Sequence, residues 1–310
     1  MTGTVIAVTS GKGGVGKSTT ALNLGAALGT DGHAVVLVDA DLGMPNVGTM
    51  LDVRSDPTLH DVLAGRADAE SVIVSERGAM DVVPGGRDLA EYAEADPGRL
   101  PGILATLAEK YAYVVVDTGA GLGYADVVPV EAADEVVLVT TPADAAIGDT
   151  AKLVEFSGRV DTSVRGAVVT RVMEDTDPNT VAADVGTELL GVVPEDPSVP
   201  ESTDAGVPLG RYAPDSPAGV AYSRLARVVS GRSPARSASE SRRDTPDGDI
   251  GTVPRSPGEG ATDAGDADAS AEVDGAPGNA DGSDTDGEAA GDESDDETGG
   301  GLRSRLRGLF

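Results

Sequence analysis

The chain has 310 residues and no cysteine, which excludes disulfides, thiolate metal sites and cysteine-based catalysis. Its 53 acidic residues against 23 basic residues give a net charge of −30, which argues against a broad nucleic-acid-binding surface built from clustered Lys and Arg. We expect neither a membrane-spanning helix nor a signal peptide, because no apolar run approaches about 18 residues and no basic region precedes the first predicted strand.

The first predicted strand, residues 5–8, leads into a glycine-rich segment, residues 11–19, and then into a helical pattern over residues 21–28. This order is the context of a phosphate-binding P-loop, and the segment satisfies the pattern G-x-x-x-x-G-K-[ST]. Glycines let successive backbone N–H groups turn toward a phosphate, and the helix N-terminus favours the same anion. We therefore predict that Lys17 reaches the β- and γ-phosphates of ATP and that Ser18 holds Mg²⁺. The predicted ATP-binding residues of this segment are Gly11, Lys12, Gly13, Gly14, Val15, Gly16, Lys17, Ser18 and Thr19.

A second lysine, Lys12, stands inside this segment, where an ordinary P-loop does not need one. Residues 11–19 resemble the deviant Walker A motif, K-G-G-x-G-K-[ST], of the MinD/ParA family of ATPases, and the resemblance extends over about residues 1–230. It implies that two ATP-bound subunits meet face to face and that Lys12 reaches the nucleotide of the partner. A cation supplied across an interface stabilises charge on a transferring phosphoryl group, so Lys12 is a candidate catalytic residue beside Lys17.

The next predicted strand, residues 34–39, is a continuous apolar run, as expected for a strand buried on both faces of a parallel sheet. Asp39 and Asp41 then stand at the strand end that faces the ligand crevice. Residues 39–46 resemble switch I of MinD-like proteins. The resemblance implies that Asp41 orients the attacking water and handles Mg²⁺, and that Asn46 contacts the nucleotide or the opposite subunit. A strand-ending turn with a capping aspartate is the simpler alternative.

Residues 58–65 predict a short helix that ends at Gly65, and residues 72–74 and 80–83 predict two strands. His60 lies within the predicted helix and has no evident partner in the sequence. We therefore expect a solvent-exposed or capping role for His60 rather than a catalytic one.

Residues 99–110 carry apolar side chains at helical spacing, and a further strand is predicted over residues 113–117. This strand resembles Walker B, which implies that Asp117 holds the Mg²⁺ shell. Residues 118–121 resemble switch II, but Gly119 stands where most relatives have proline. We expect this departure to leave the switch more flexible.

Three more strands are predicted over residues 136–142, 164–170 and 190–194, and a helix over residues 220–229 closes the domain. Relatives commonly have Asn-Arg after the second of these strands and use it near the adenine, so the resemblance makes Arg171 a candidate ATP-binding residue. Strands that alternate with helices predict an α/β fold with a doubly wound, mostly parallel sheet of the P-loop NTPase type.

The composition changes after residue 231, where the predicted ATPase domain (residues 1–231) ends. Residues 261–300 contain 14 acidic and no basic side chains, so residues 232–301 are predicted to form a disordered acidic linker. Residues 302–310 combine arginines with an apolar stripe and resemble the C-terminal membrane-targeting helix of MinD-like proteins. Docking on a protein partner is the alternative. The stripe consists of Leu302, Leu306, Leu309 and Phe310.

These features together predict an ATPase, slow and stimulated by an unknown partner, that forms a homodimer with ATP and Mg²⁺. We expect a cytoplasmic protein that associates peripherally and reversibly with the membrane and places a division site, a motility or chemosensory assembly or another cargo. A DNA-dependent partition ATPase of the ParA type and a scaffold that binds nucleotide without hydrolysing it are the alternatives. The abundance of acidic residues and the presence of only four lysines resemble cytoplasmic proteins of extreme halophiles.

Overall fold

The computed structural model describes residues 2–75, 79–173 and 175–231. The predicted acidic linker (232–301) and the predicted terminal helix (302–310) lie outside these residues. Within the described ranges, each helix is too short or too polar to cross a membrane.

A single sheet organises the described residues, and each pair of neighbouring strands in it is parallel. Its strands are β1 (Thr4–Ser10), β2 (Val35–Ala40), β3 (Asp81–Val83), β4 (Tyr113–Ala120), β5 (Glu135–Thr140), β6 (Ser163–Val172) and β7 (Leu189–Pro194). The order across the sheet is β3-β2-β4-β1-β5-β6-β7. The winding therefore reverses at β1, and this reversal opens a crevice at the carboxyl ends of the central strands. The predicted parallel, doubly wound fold is confirmed.

Helices cover both faces of this sheet. They are α1 (Lys17–Thr30), α2 (Val47–Met50), α3 (Leu59–Leu63), α4 (Leu89–Glu94), a 3₁₀ turn (Pro97–Arg99), α5 (Leu100–Ala108), α6 (Tyr124–Glu131), α7 (Asp144–Arg159), α8 (Pro178–Val185), α9 (Ser198–Asp204), α10 (Leu209–Tyr212) and α11 (Pro217–Val229). In β2, Leu37 packs on the side of α1 and α11, whereas Val36 and Val38 pack on the side of α5. Because both faces are buried, the strand sequences are continuous apolar runs rather than alternating ones.

Most of the predicted elements are present, with two differences. The strand predicted over residues 72–74 is wrong, because only Val74 pairs, through an isolated antiparallel bridge to Val82. Its apolar residues reflect burial, since Val72 is fully covered. In addition, β4 continues as far as Ala120, so the segment that resembles switch II begins inside the sheet.

The predicted role of His60 is also wrong. The side chain is fully buried in α3 rather than exposed or capping. Its Nδ1 accepts a hydrogen bond from the Gly86 N–H at 2.7 Å, and its Nε2 lies 3.1 Å from the Leu42 carbonyl oxygen. Both partners are backbone groups of distant loops, and no pattern of residue types marks such partners in a sequence.

Candidate nucleotide-binding site

The predicted P-loop connects the carboxyl end of β1 to the N-terminus of α1. Gly14 and Gly16 have φ angles of 79° and 92°, in the left-handed region that glycine adopts most easily. A Cβ on Gly13 or Gly14 would meet no atom within 4 Å, so this part of the loop faces open space. The loop borders a cavity of about 920 Å³, to which it contributes Gly13, Gly14, Gly16, Lys17, Ser18 and Thr19.

Neighbouring elements hold the loop in this shape. Gly11 lies so close to α7 that a Cβ there would overlap the backbone of Asp149. On the other side, the Thr170 hydroxyl at the end of β6 donates a hydrogen bond to the Val15 carbonyl at 2.6 Å. The loop is therefore preorganised, which reduces the entropy that ligand binding has to overcome.

Lys17 brings the predicted phosphate and metal residues together. Its side chain is only 8% exposed, and its Nζ donates a hydrogen bond to Asp117 Oδ1 at 2.8 Å. The same Nζ lies 3.3 Å from Ser18 Oγ and 3.5 Å from Asp41 Oδ2. One ammonium group thus contacts the residues predicted from Walker A, switch I and Walker B, which are far apart in the chain.

Asp39 and Asp117 are completely buried beside the P-loop. Burial raises the pKa of Asp39 well above its ordinary value, and the charge of Asp117 raises it further, while a hydrogen bond from the Val47 N–H lowers it. Burial also raises the pKa of Asp117, although the Lys17 ammonium acts against this shift. Asp39 Oδ1 and Asp117 Oδ2 accept no hydrogen bond from the part of the chain that the structure describes. Unsatisfied carboxylate oxygens of this kind suit a hydrated cation such as Mg²⁺.

The loop that follows β2 contributes Asp41 and Asn46 to the same cavity. Asp41 Oδ1 accepts a hydrogen bond from the Met44 N–H at 3.1 Å, which closes a tight turn and orients the carboxylate. Asn46 precedes α2, and its Oδ1 is buried without a hydrogen-bond partner among the described residues. Asp41 and Asn46 thus line the same cavity as the P-loop.

Asp126 is a cavity residue that the sequence analysis missed. Its Oδ2 accepts a hydrogen bond from the Gly123 N–H at 3.2 Å, at the start of α6. Burial raises the pKa of Asp126, and the negative charge of Asp41 raises it further. A Cβ on Gly119 would overlap the Asp126 carboxylate, so the glycine at this position leaves room for that side chain.

Replacing Gly119 by alanine is expected to destabilise the fold by about 0.5–1.5 kcal/mol, because the new methyl group pushes the Asp126 carboxylate off its hydrogen bond with the Gly123 N–H. Urea unfolding followed by circular dichroism measures this change. When Asp126 is already alanine, the further change Gly119→Ala should cost little stability, so the double variant should be nearly as stable as Asp126→Ala. If the alanine at 119 costs the same with and without the aspartate, the overlap is not the cause.

Arg171 lies at the junction of two cavities. It lines the P-loop cavity and a second one of about 670 Å³, whose wall includes Pro194, Pro197 and Val199. Its φ angle is 53°, a left-handed conformation that a non-glycine residue rarely adopts. The proline and valine side chains offer an apolar surface to a planar ring next to the P-loop.

Lys12 differs from Lys17 in its surroundings. Its side chain is exposed, whereas Lys17 is buried. A hydrogen bond from Lys152 lowers the pKa of Asp149, and the positive charge of Lys12 adds to this shift, so Lys12 lies near α7. The two lysines of one loop thus occupy two environments, one buried inside the site and one exposed on the surface.

Comparisons with known proteins confirm the predicted resemblance. Residues 6–209 match the model of the CobQ/CobB/MinD/ParA nucleotide binding domain. An uncharacterised ATP-binding protein of Methanocaldococcus jannaschii is 35% identical over 230 residues, which cover 73% of this chain and 87% of that protein.

Solved structures agree with the sequence comparisons. The cell division ATPase MinD of Pyrococcus furiosus is similar with a TM-score of 0.71 at 35% identity, covering 74% of this chain and 99% of that one. The septum site-determining protein MinD of Pyrococcus horikoshii, solved with Mg-ADP, has a TM-score of 0.70 at 35% identity, covering 73% and 95%. The chain therefore belongs to the CobQ/CobB/MinD/ParA family of nucleotide-binding proteins and has its MinD/ParA-type P-loop fold.

Proposed function

We propose that this protein is a MinD-type ATPase that dimerises with Mg-ATP, reaches the membrane through its C-terminal segment and positions a cellular structure there. The observation that carries the proposal is the contrast between the two lysines of the P-loop. Lys17 is buried against Asp117, whereas Lys12 is exposed. The similarity to the Pyrococcus furiosus protein named as the cell division ATPase MinD supports the same proposal.

The P-loop cavity suits the triphosphate of ATP. Backbone N–H groups of residues 13–17 provide donors, and the Lys17 ammonium provides a fixed positive charge next to them. Ser18 and Asp117, together with Asp41, are the residues that would hold Mg²⁺, which neutralises charge on the phosphates when it is bound. In the described ranges, no three His, Asp or Glu side chains converge into a metal site of their own. That arrangement fits Mg²⁺, which takes several ligands from substrate phosphates and water.

The proposed hydrolysis step needs a water in line with the γ-phosphate. Asp41 is the residue assigned to orient that water, because its carboxylate faces the cavity and one of its oxygens is already held by the Met44 N–H. A fixed carboxylate positions a nucleophile better than a freely rotating one. Arg171 and the adjoining apolar cavity are the proposed site of the adenine base.

The rim of the P-loop cavity supports dimerisation. Met44, Tyr92 and Tyr124 line this cavity, yet they are 80%, 45% and 47% exposed. Exposed apolar side chains grouped at the mouth of a site are typical of a surface that another molecule covers. A second copy placed there would bury these side chains and bring its own Lys12 toward the phosphates.

The membrane part of the proposal rests on residues 302–310. Four buried apolar side chains contribute at most about 1.5–3 kcal/mol each, and an isolated helix this short is marginal in water. One copy therefore binds weakly, whereas two copies on one dimer gain from effective concentration. Dimerisation with ATP would in this way switch membrane binding on.

Liposome flotation in molar KCl tests the membrane switch. We expect full-length protein to float with ATP and Mg²⁺ but not with ADP, and a truncation after Gly301 not to float at all. Leu306→Gln should abolish flotation, whereas the matched variant Arg305→Gln should retain it, because the Debye length is only about 3 Å at 1 M salt. Flotation that does not depend on nucleotide or on residues 302–310 would contradict the membrane switch and leave docking on a protein partner as the remaining role for the terminal stripe.

A further inference from the structure

The buried imidazole of His60 connects two loops beside the nucleotide cavity. Its Nδ1 accepts the N–H of Gly86 at 2.7 Å, so this nitrogen carries no proton. The proton is therefore on Nε2, which donates to the Leu42 carbonyl oxygen 3.1 Å away. The neighbours thus select one tautomer of a neutral ring. Burial lowers the pKa of His60, which favours the same neutral form.

The hydrogen bond from His60 to the Leu42 carbonyl holds the loop that carries Asp41. Residues 41–46, named here the Asp41 loop, begin with Asp41 and continue directly into Leu42. A bond to the Leu42 carbonyl therefore constrains the backbone next to the Asp41 side chain. The Asp41 carboxylate in turn accepts the Met44 N–H at 3.1 Å, so the two bonds hold this turn at successive points.

The hydrogen bond to Gly86 holds a second loop, residues 84–86, which packs against the Asp41 loop. The Pro84 carbonyl accepts the Leu59 N–H at 3.0 Å, which ties this second loop to α3. A Cβ on Gly85 would approach Pro45 Cβ within 2.5 Å, so the two loops are in direct contact. His60 is thus bonded to both loops at the place where they pack against each other.

An apolar residue could fill the same volume, but it would leave the Leu42 carbonyl and the Gly86 N–H without partners. Buried backbone groups without hydrogen bonds are costly, so the loops would move to satisfy them. A shift of the Leu42 backbone moves the adjacent Asp41 relative to the cavity. The hydrogen bonds of the imidazole therefore influence the position of Asp41 in addition to filling space in the core.

We propose that His60 is a positioning residue for ATP hydrolysis, whose Nε2–H holds the Leu42 carbonyl and thereby fixes the Asp41 carboxylate over the nucleotide cavity. The inference rests on the proposed function, which assigns Asp41 to the attacking water. The hydrogen bonds of His60 go to Leu42 and Gly86 rather than to the P-loop, so His60 should influence turnover more than ATP binding.

Two variants separate the two hydrogen bonds of His60. The amide of asparagine reaches the position of Nδ1 and can keep the Gly86 bond, whereas the longer glutamine reaches the position of Nε2 and can keep the Leu42 bond. We expect His60→Asn to lower kcat by about tenfold to a hundredfold, since small misplacements of a catalytic group have effects of this size. We expect His60→Gln to retain most of kcat. The KM for ATP should stay within about twofold in both, because the phosphate-binding loop is unchanged.

A second measurement, which does not depend on ATP turnover, reports directly on the Asp41 loop. The NMR chemical shift of the Met44 amide, whose N–H donates to the Asp41 carboxylate, should change in His60→Asn and stay close to that of wild type in His60→Gln. A purely structural role for His60 predicts instead that both variants change kcat and stability in parallel, with no difference at Met44. That result would overturn the inference.

The variant Asp41→Ala separates failure of this inference from failure of the proposed function. If wild type hydrolyses Mg-ATP and Asp41→Ala does not, while His60→Asn keeps full kcat, the inference is wrong and the proposed function stands. If wild type does not hydrolyse Mg-ATP even in a single-turnover assay, the proposed function is wrong, and the chemical shift of the Met44 amide alone decides whether His60 holds the Asp41 loop.

Discussion

Replacing Lys17 by methionine is expected to destabilise the folded protein by about 3–5 kcal/mol at neutral pH and to abolish ATP binding, because it leaves a buried carboxylate without its partner. The Lys17 ammonium lies 2.8 Å from Asp117, which is completely buried, and 3.5 Å from Asp41. Methionine has a similar length and fills the same space, so the change removes the charge more than the packing. Urea unfolding measured by circular dichroism reports the loss.

The sign of the pH dependence follows from Asp117. Burial raises its pKa above the ordinary value of 3.8 even with Lys17 present, and removing the ammonium raises this pKa further. A carboxyl group with a higher pKa in the folded state binds protons more readily there, so folding becomes more favourable as the pH falls. The difference in stability between Lys17→Met and wild type should therefore be largest above the raised pKa of Asp117 and should narrow as the pH falls through this pKa.

The double variant Lys17→Met, Asp117→Asn provides the control for this prediction. Asparagine is neutral, so no buried charge at position 117 is left without a partner when Lys17 is removed. The change Lys17→Met should therefore cost much less stability in the Asp117→Asn protein than in wild type. Equal stability of Lys17→Met and wild type at neutral pH would show that Lys17 is not the charge partner of Asp117.

Replacing Lys12 by alanine is expected to lower ATP turnover by about a hundredfold to a thousandfold while leaving ATP affinity of the monomer nearly unchanged. Lys12 is exposed, so its removal costs no buried contact. Its proposed role begins only when a second subunit brings it to the phosphates, so the loss should appear in kcat and in dimerisation.

Lys152 offers a matched control for this variant. It is also an exposed lysine near the P-loop and forms an ion pair with Asp149 at 2.8 Å, on the helix that Gly11 contacts. Lys152→Ala removes the same charge from the same region and should retain both dimerisation and turnover. A similar loss in the two variants would point to the general charge of this surface rather than to Lys12 itself.

The features of this protein that its sequence predicts are local. The strands are continuous runs of β-branched residues because both faces of the sheet are buried, and the P-loop glycines are required by its backbone angles. Lys17 lies in the P-loop after β1, Asp41 follows β2, and Asp117 lies near the carboxyl end of β4. Because the carboxyl ends of parallel strands meet at one edge of the sheet, the convergence of these residues could be anticipated.

The parts that it did not predict depend on contacts between distant loops. The partners of His60 are backbone groups 18 and 26 residues away, and backbone groups carry no sequence signal. The contact of Gly119 with Asp126 depends on how the chain turns between β4 and α6. Helix α6 was missed because Pro129 inside it is typical of a helix end, whereas α8 could have been found from its Asp177 cap and Gly186 end.

The most direct test of the account is the molar mass of the protein in solution, measured by light scattering with Mg-ATP and with Mg-ADP. We expect Mg-ATP to double the 31.0 kDa mass of the wild-type chain, Mg-ADP to leave it monomeric, and Lys12→Ala to stay monomeric with either nucleotide. A wild-type protein that binds ATP and remains a monomer, or a Lys12→Ala variant that dimerises as wild type does, would contradict the central claim.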